Sequence, residues 1–169
     1  MIPTDGILTK CALAGVSIIV GLIAFDDLLS ASLIRCTRAG VSIIIGGPYS
    51  SGILATGADP ADGTIPKFNY EPASDEVRAR TRQIEAVCKR FNVPLIASAL
   101  QFPLLRDDCV ACVIPGAKSP AEVHSNVANM NVSIPDAFWE ALIMEGLIPA
   151  ASIRTTHRKS SLRVNQPES

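Results

Sequence analysis

The chain has 169 residues, of which 48% are hydrophobic and 18% charged, and its formal net charge is −1. That balance excludes a disordered polyelectrolyte, and the lack of a basic stripe interleaved with aromatics excludes a nucleic-acid binder. The apolar run from Ala12 to Phe25 is too short to span a bilayer and lacks the basic flank of a secretory leader, so we expect a cytoplasmic protein whose five cysteines are thiols.

The first feature along the chain is a repeat. AGVSIIVG at 14–21 returns as AGVSIIIG at 39–46, and Cys11 and Cys36 each stand three residues ahead of a copy. Gly15 and Gly40 suit the residue just past a helix end, where a left-handed backbone favours glycine. The β-branched runs that follow read as strands of a parallel sheet, buried on both faces. Between the copies, Asp26 to Arg38 carries Leu28, Leu29, Leu33, Ile34 and Cys36, with acids at its start and Arg35 and Arg38 at its end, as a helix dipole favours. Asp26 and Asp27 are therefore read as helix-start charge rather than a catalytic pair. Strand, helix, strand makes a βαβ unit.

Further on, Val77, Thr81, Ile84, Cys88 and Phe91 recur at spacings of three and four, which predicts a helix capped by Ser74 and ended by Asn92. Pro94 can open another helix over Leu95 to Leu105, with Pro103 ending or kinking it and a buried strand as the alternative. Cys109 to Ile114 reads as a strand. Ser119-Pro120-Ala121-Glu122 is a capping box that starts a helix at Pro120, and a last helix begins near Pro135. Residues 151–169 are polar and aperiodic, so they read as a disordered tail with His157, Arg158 and Lys159 in solvent. The folded domain is expected over 1–150.

Two turns carry the chemical signal. Gly46, Gly47, Pro48, Tyr49, Ser50, Ser51 and Gly52 follow the second repeat, so amides and hydroxyls gather at a strand's carboxyl end, where α/β folds bind phosphates. Gly116, Ala117, Lys118 and Ser119 follow the Cys109–Ile114 strand and open a capped helix, whose start also suits an anion. Two such turns on parallel strands fit a ligand with separated phosphates. Other candidates are weaker. Cys109 and Cys112 have CxxC spacing but fall in a strand, where residues three apart point to opposite faces, and no metal is expected. His124 should lie on a helix surface. Tyr49 and Tyr70 have no evident partner that would make either an acid.

The segments GVSIIIGGPYSSGILATG (40–57), FNY (68–70), IEAVCKRFNVPLIASALQFPL (84–104), VIPGAKSPAEVHSN (113–126) and IPDAFWEALIMEGLI (134–148) resemble the C-terminal half of an aldo-keto reductase. The likeness runs over about 36–148 and is to the D-threo-aldose 1-dehydrogenase subgroup, also called L-fucose or L-galactose dehydrogenases, with pyridoxal 4-dehydrogenase as a relative. It implies an α/β fold, the C-terminal part of a (β/α)8 barrel, and NAD or NADP as cofactor. It implies oxidation of an aldose at C1, with a sugar or aldehyde as substrate. It places Gly46, Gly47, Pro48, Ser50, Ser51 and Gly52 at the cofactor pyrophosphate. It places Gly116, Ala117, Lys118, Ser119, Glu122 and Asn126 around the adenosine end. Glu122 stands where many such enzymes hold the 2′-phosphate of NADP with Arg, which leans the choice toward NAD. The family's catalytic Asp, Tyr, Lys and His belong to the other half of the barrel, so no residue here inherits those roles. An inactive binding module, self-associating through open barrel edges, is the alternative.

Overall fold

A computed structural model describes residues 16–20, 36–106 and 108–150, the first of these by backbone alone. The expected first helix end, Gly15, the start of the Asp26–Arg38 helix and the 151–169 tail lie outside the described residues.

Three parallel strands form the sheet: β1 (Val16–Val20), β2 (Ser42–Gly46) and β5 (Val110–Ile114), in the order β1-β2-β5. The two copies of the repeat are thus neighbours. Val16 pairs with Ser42 rather than with its sequence equivalent Val41, so the copies lie one residue out of repeat register. Beyond β2, β3 (Lys67–Phe68) and β4 (Glu71–Pro72) form a small antiparallel hairpin. The helices are α1 (Ile53–Thr56), α2 (Asp75–Phe91), α3 (Leu95–Gln101), α4 (Pro120–Met130) and α5 (Asp136–Met144).

Helix ends follow local chemistry. The helical turn 36–39 stops in a Schellman motif: Gly40 has φ +65°, its N–H donates to Thr37 O, and Val41 N–H donates to Cys36 O at 3.0 Å. Asn92, with φ +55°, ends α2 in the same way. Ser74 caps α2 by accepting from Val77 N–H at 3.3 Å. Pro94 and Pro135 are capping residues, one position before the helices they introduce. The expected Leu95–Leu105 helix is shorter: α3 ends at Gln101 and continues as a 3-10 turn, Phe102–Arg106. Pro103 is the cause, because it has no N–H to give Ala99 O and its ring crowds that carbonyl. The last strand begins at Val110, one residue after the expected Cys109.

The core lies on one side of the sheet. Ile43 and Ile45 are buried there with Ile84 and Val87 of α2 and Phe138, Trp139 and Leu142 of α5. The expectation of strands covered on both faces needs correction. In β2, Ser42 is exposed and Ile44 and Gly46 only half-buried, and in β5 only Val110 is buried. The helices that bury the Ile43 side have no described counterpart on the other, so the strand alternates as a half-covered one does.

α4 is held differently from the other long helices. None of its residues is buried, and Val123, Val127 and Met130 are exposed. Its last turn is fastened from α3, where Gln101 Nε2 donates to the carbonyls of Asn129, Met130 and Val132. Its first turn is fastened by Ser119, whose Oγ accepts from Glu122 N–H at 3.2 Å. Ser119→Ala should remove about 1 kcal/mol of local helix stability. Because α4 buries nothing, the loss should appear as faster amide exchange at 121–123, with the global unfolding midpoint almost unmoved.

Candidate functional site

The two turns singled out in the sequence meet. Both leave carboxyl ends of adjacent parallel strands, since Gly46 pairs with Ile114 and Gly47 N–H donates to Ile114 O at 3.2 Å. The order and direction of β2 and β5 therefore bring 46–52 beside 115–119 at one end of the sheet.

The first turn is tightly wound. Gly47, Ser50, Ser51 and Gly52 all have positive φ, at +63°, +48°, +61° and +112°. Two consecutive serines in the left-handed region are uncommon, and such strain, of order 1–3 kcal/mol per residue, gathers at ligand sites. Tyr49 O accepts from Gly52 N–H at 2.9 Å and Leu54 N–H at 3.2 Å, which closes the turn into α1. Pro48 and Ser50 are buried, and Ser50, at 2% exposure, has an Oγ with no hydrogen-bond partner. A buried hydroxyl in that state costs free energy. Ser51 Oγ accepts from Tyr70 N–H at 3.0 Å and ties the β3–β4 hairpin to the turn. Behind it, Asp59 pairs with Arg78 and Arg82 of α2, whose guanidinium groups hold its carboxyl well below the usual carboxylate range.

The second turn departs from the expected capping box by one residue. Ser119 Oγ accepts from Glu122 N–H, but the Glu122 carboxylate reaches Lys118 N–H at 2.6 Å rather than the amide of Ser119. The protein's own carboxylate thus occupies one donor at the helix start. Gly116, Ala117 and Lys118 are exposed, and a Cβ at Gly116 would meet nothing within 4 Å.

A side-chain pair that sequence reasoning missed joins the two turns. Tyr49 Oη donates to Asn126 Oδ1 at 2.5 Å, and Asn126 Nδ2 donates to Gly116 O at 3.4 Å. Burial pushes the Tyr49 phenol up from its ordinary value, so it stays a protonated donor. Nothing local in the sequence signals this contact between residues 77 apart.

The side chains of the other candidates make no hydrogen bond to the turns among the described residues. His124 is exposed on α4, and Tyr70 is exposed at the hairpin tip with φ +68°. Cys109 is buried and Cys112 exposed, so the CxxC spacing brings no shared site. No helix among the described residues is long and apolar enough to cross a membrane.

The chain is 42% identical over 102 residues to pyridoxal 4-dehydrogenase of Microbacterium luteolum, and 35% identical over 101 residues to D-threo-aldose 1-dehydrogenase of a Pseudomonas species. Each match takes in 60% of this chain but only 28% and 30% of those proteins. In structure it is similar to aldo-keto reductase AKR11C1 from Bacillus halodurans. The holo form matches with a TM-score of 0.57 at 22% identity, over 84% of this chain and 46% of that one. The apo form gives 0.56. No family model matches the chain.

The chain shares the fold of part of an aldo-keto reductase barrel.

It spans less than a third of the curated relatives it matches. In a partial aldo-keto reductase barrel, the end of the sheet that bears both turns is the carboxyl end, the side on which such barrels place their active sites.

Proposed function

We propose that the two turns jointly hold the diphosphate-bearing portion of a nicotinamide dinucleotide, and that the chain is the cofactor-binding part of an oxidoreductase acting on an aldose at C1. The observation that carries this reading is the placement of 46–52 and 115–119 on neighbouring parallel strands, joined by the Gly47–Ile114 and Tyr49–Asn126 hydrogen bonds. A diphosphate needs several N–H and O–H donors within one small volume, and such turns supply them.

Among the described residues, the exposed ammonium of Lys118 fits such a ligand. The Glu122 carboxylate does not favour an additional phosphate at the start of α4, which supports NAD over NADP. The bound nicotinamide would accept or give the hydride. The described residues add no acid–base relay, because the Tyr49 phenol is held by an amide rather than by Lys or His. Their work is binding and orientation.

Calorimetric titration of the purified chain tests the reading. We expect saturable binding of NAD+, weaker binding of NADP+, and no sugar-dependent reduction of either. Glu122→Gln should raise the NADP+ affinity by about fivefold relative to NAD+, as removal of roughly 1 kcal/mol of like-charge repulsion near a helix start predicts. Absence of binding to both dinucleotides at millimolar concentration would sink the proposal.

A further inference from the structure

α4 carries the second turn at its start, yet no side chain of α4 is buried. Hydrophobic packing therefore does not set its position. Polar fasteners do, and two of them come from distant parts of the chain. Gln101 grips the far end through the carbonyls of Asn129, Met130 and Val132. Tyr49 grips the middle of the helix, through Asn126 Oδ1 at 2.5 Å, and Asn126 in turn reaches Gly116 O.

Tyr49 is well placed to act as the fixed post. Its carbonyl closes the first turn by accepting from Gly52 and Leu54 N–H, and its ring packs against a cluster of Ile53, Leu54, Ala73 and Ala99. Its hydroxyl is the part of the residue that reaches the second turn. Asn126 Oδ1 keeps one lone pair and Nδ2 one proton beyond these two bonds, and Tyr49 fixes which way that amide faces.

We propose that Tyr49 is a positioning residue: through Asn126 it locks the second turn against the first, so that a ligand spanning both is bound as one unit. The proposal rests on the dinucleotide reading above. Its physical content is effective concentration. Once one end of a two-ended ligand is seated, the other end binds only as well as the distance between the two halves is held. Loosening that distance should weaken a ligand that uses both turns and spare one that uses a single turn.

Tyr49→Phe tests this, because the ring and its packing are kept and only the hydroxyl is lost. The affinities of NAD+ and of AMP, which carries a single phosphate, are measured by calorimetry on wild type and variant. We expect NAD+ to weaken by about five- to tenfold, the worth of one part-buried hydrogen bond, with AMP changed by less than about twofold. Amide exchange should speed up across 116–126 and stay unchanged in α2. Asn126→Ala should weaken NAD+ alike, and the double variant should be no worse than either single one. Equal losses for NAD+ and AMP would mean a merely structural role and overturn the proposal, as would an unchanged NAD+ affinity. If wild type binds no dinucleotide, the functional reading fails. The lock is then judged by exchange alone, and equal rates at 116–126 in wild type and Tyr49→Phe would overturn it.

Discussion

Phe138→Ala should destabilise the chain by about 3–5 kcal/mol, the usual loss for truncating a fully buried Phe. Phe138 has 0% exposure. Its ring centroid lies 5.9 Å from Phe91 of α2 and 4.9 Å from Trp139, both edge-on, and Trp139 continues to Phe102 at 6.1 Å. This aromatic row ties α5 to α2 and to the 3-10 turn after α3, and it packs in the same core as Ile43 and Ile45 of the sheet. The expected loss is a large share of the roughly 5–15 kcal/mol that stabilises a domain. Urea unfolding followed by the fluorescence of Trp139, the single tryptophan, measures it. Met144→Ala, at an 87% exposed position of the same helix, should move stability by no more than about 0.5 kcal/mol. A change below about 1 kcal/mol for Phe138→Ala would contradict the packing described here.

Asp108→Ala should cost about 3 kcal/mol, because it takes the carboxylate away from a nearly buried guanidinium. Arg106 donates to Asp108 through Nε at 2.8 Å and Nη2 at 3.0 Å, with side chains only 9% and 16% exposed. Thr37 Oγ1 donates to the same carboxylate at 3.2 Å and accepts from Arg106 Nη2 at 3.3 Å. The cluster ties the 36–39 helix end to the entry of β5, opposite the turn-bearing end of the sheet. It therefore bears on stability and register rather than on ligand contact.

The same pair sets a pH dependence. The hydrogen bonds from Arg106 hold the Asp108 carboxyl below its ordinary value, with further lowering from the guanidinium charge and from Thr37. A carboxyl lowered on folding adds stability that is fully present above its unfolded pKa of about 3.9 and is lost as pH falls through the lower folded value. The stability gap between wild type and Asp108→Ala should therefore stay level from about pH 7 to 5 and shrink in stronger acid. A gap that widens on acidification would reverse the sign of this argument.

Much of the local structure was legible because its causes are local. The left-handed stops at Gly40 and Asn92, the Ser74 and Ser119 caps and the proline at the start of α4 each depend on residues within about four positions of one another. The two Gly- and Ser-rich turns could be read as strand-end turns for the same reason. Less legible was the state of their side chains. Ser51 turned out to hold the hairpin through Tyr70, and Glu122 the amide of Lys118, each a choice among neighbours that sequence leaves open. The open face of β2 was also misjudged, because a run such as SIIIG looks alike whether one face or two are covered.

By itself the amino-acid order determined the caps and stops of α2 and the start of α4, the likeness to aldo-keto reductases, and which turns follow β2 and β5, since backbone conformation and capping are short-range chemistry. Only the tertiary structure decided that β2 and β5 are neighbours, that Tyr49 meets Asn126 across 77 residues, and that Arg106 and Asp108 share a nearly buried cluster with Thr37. Those contacts depend on strand register and on how helices seat against the sheet, and both are set by burial summed over the whole core rather than by any one stretch of sequence.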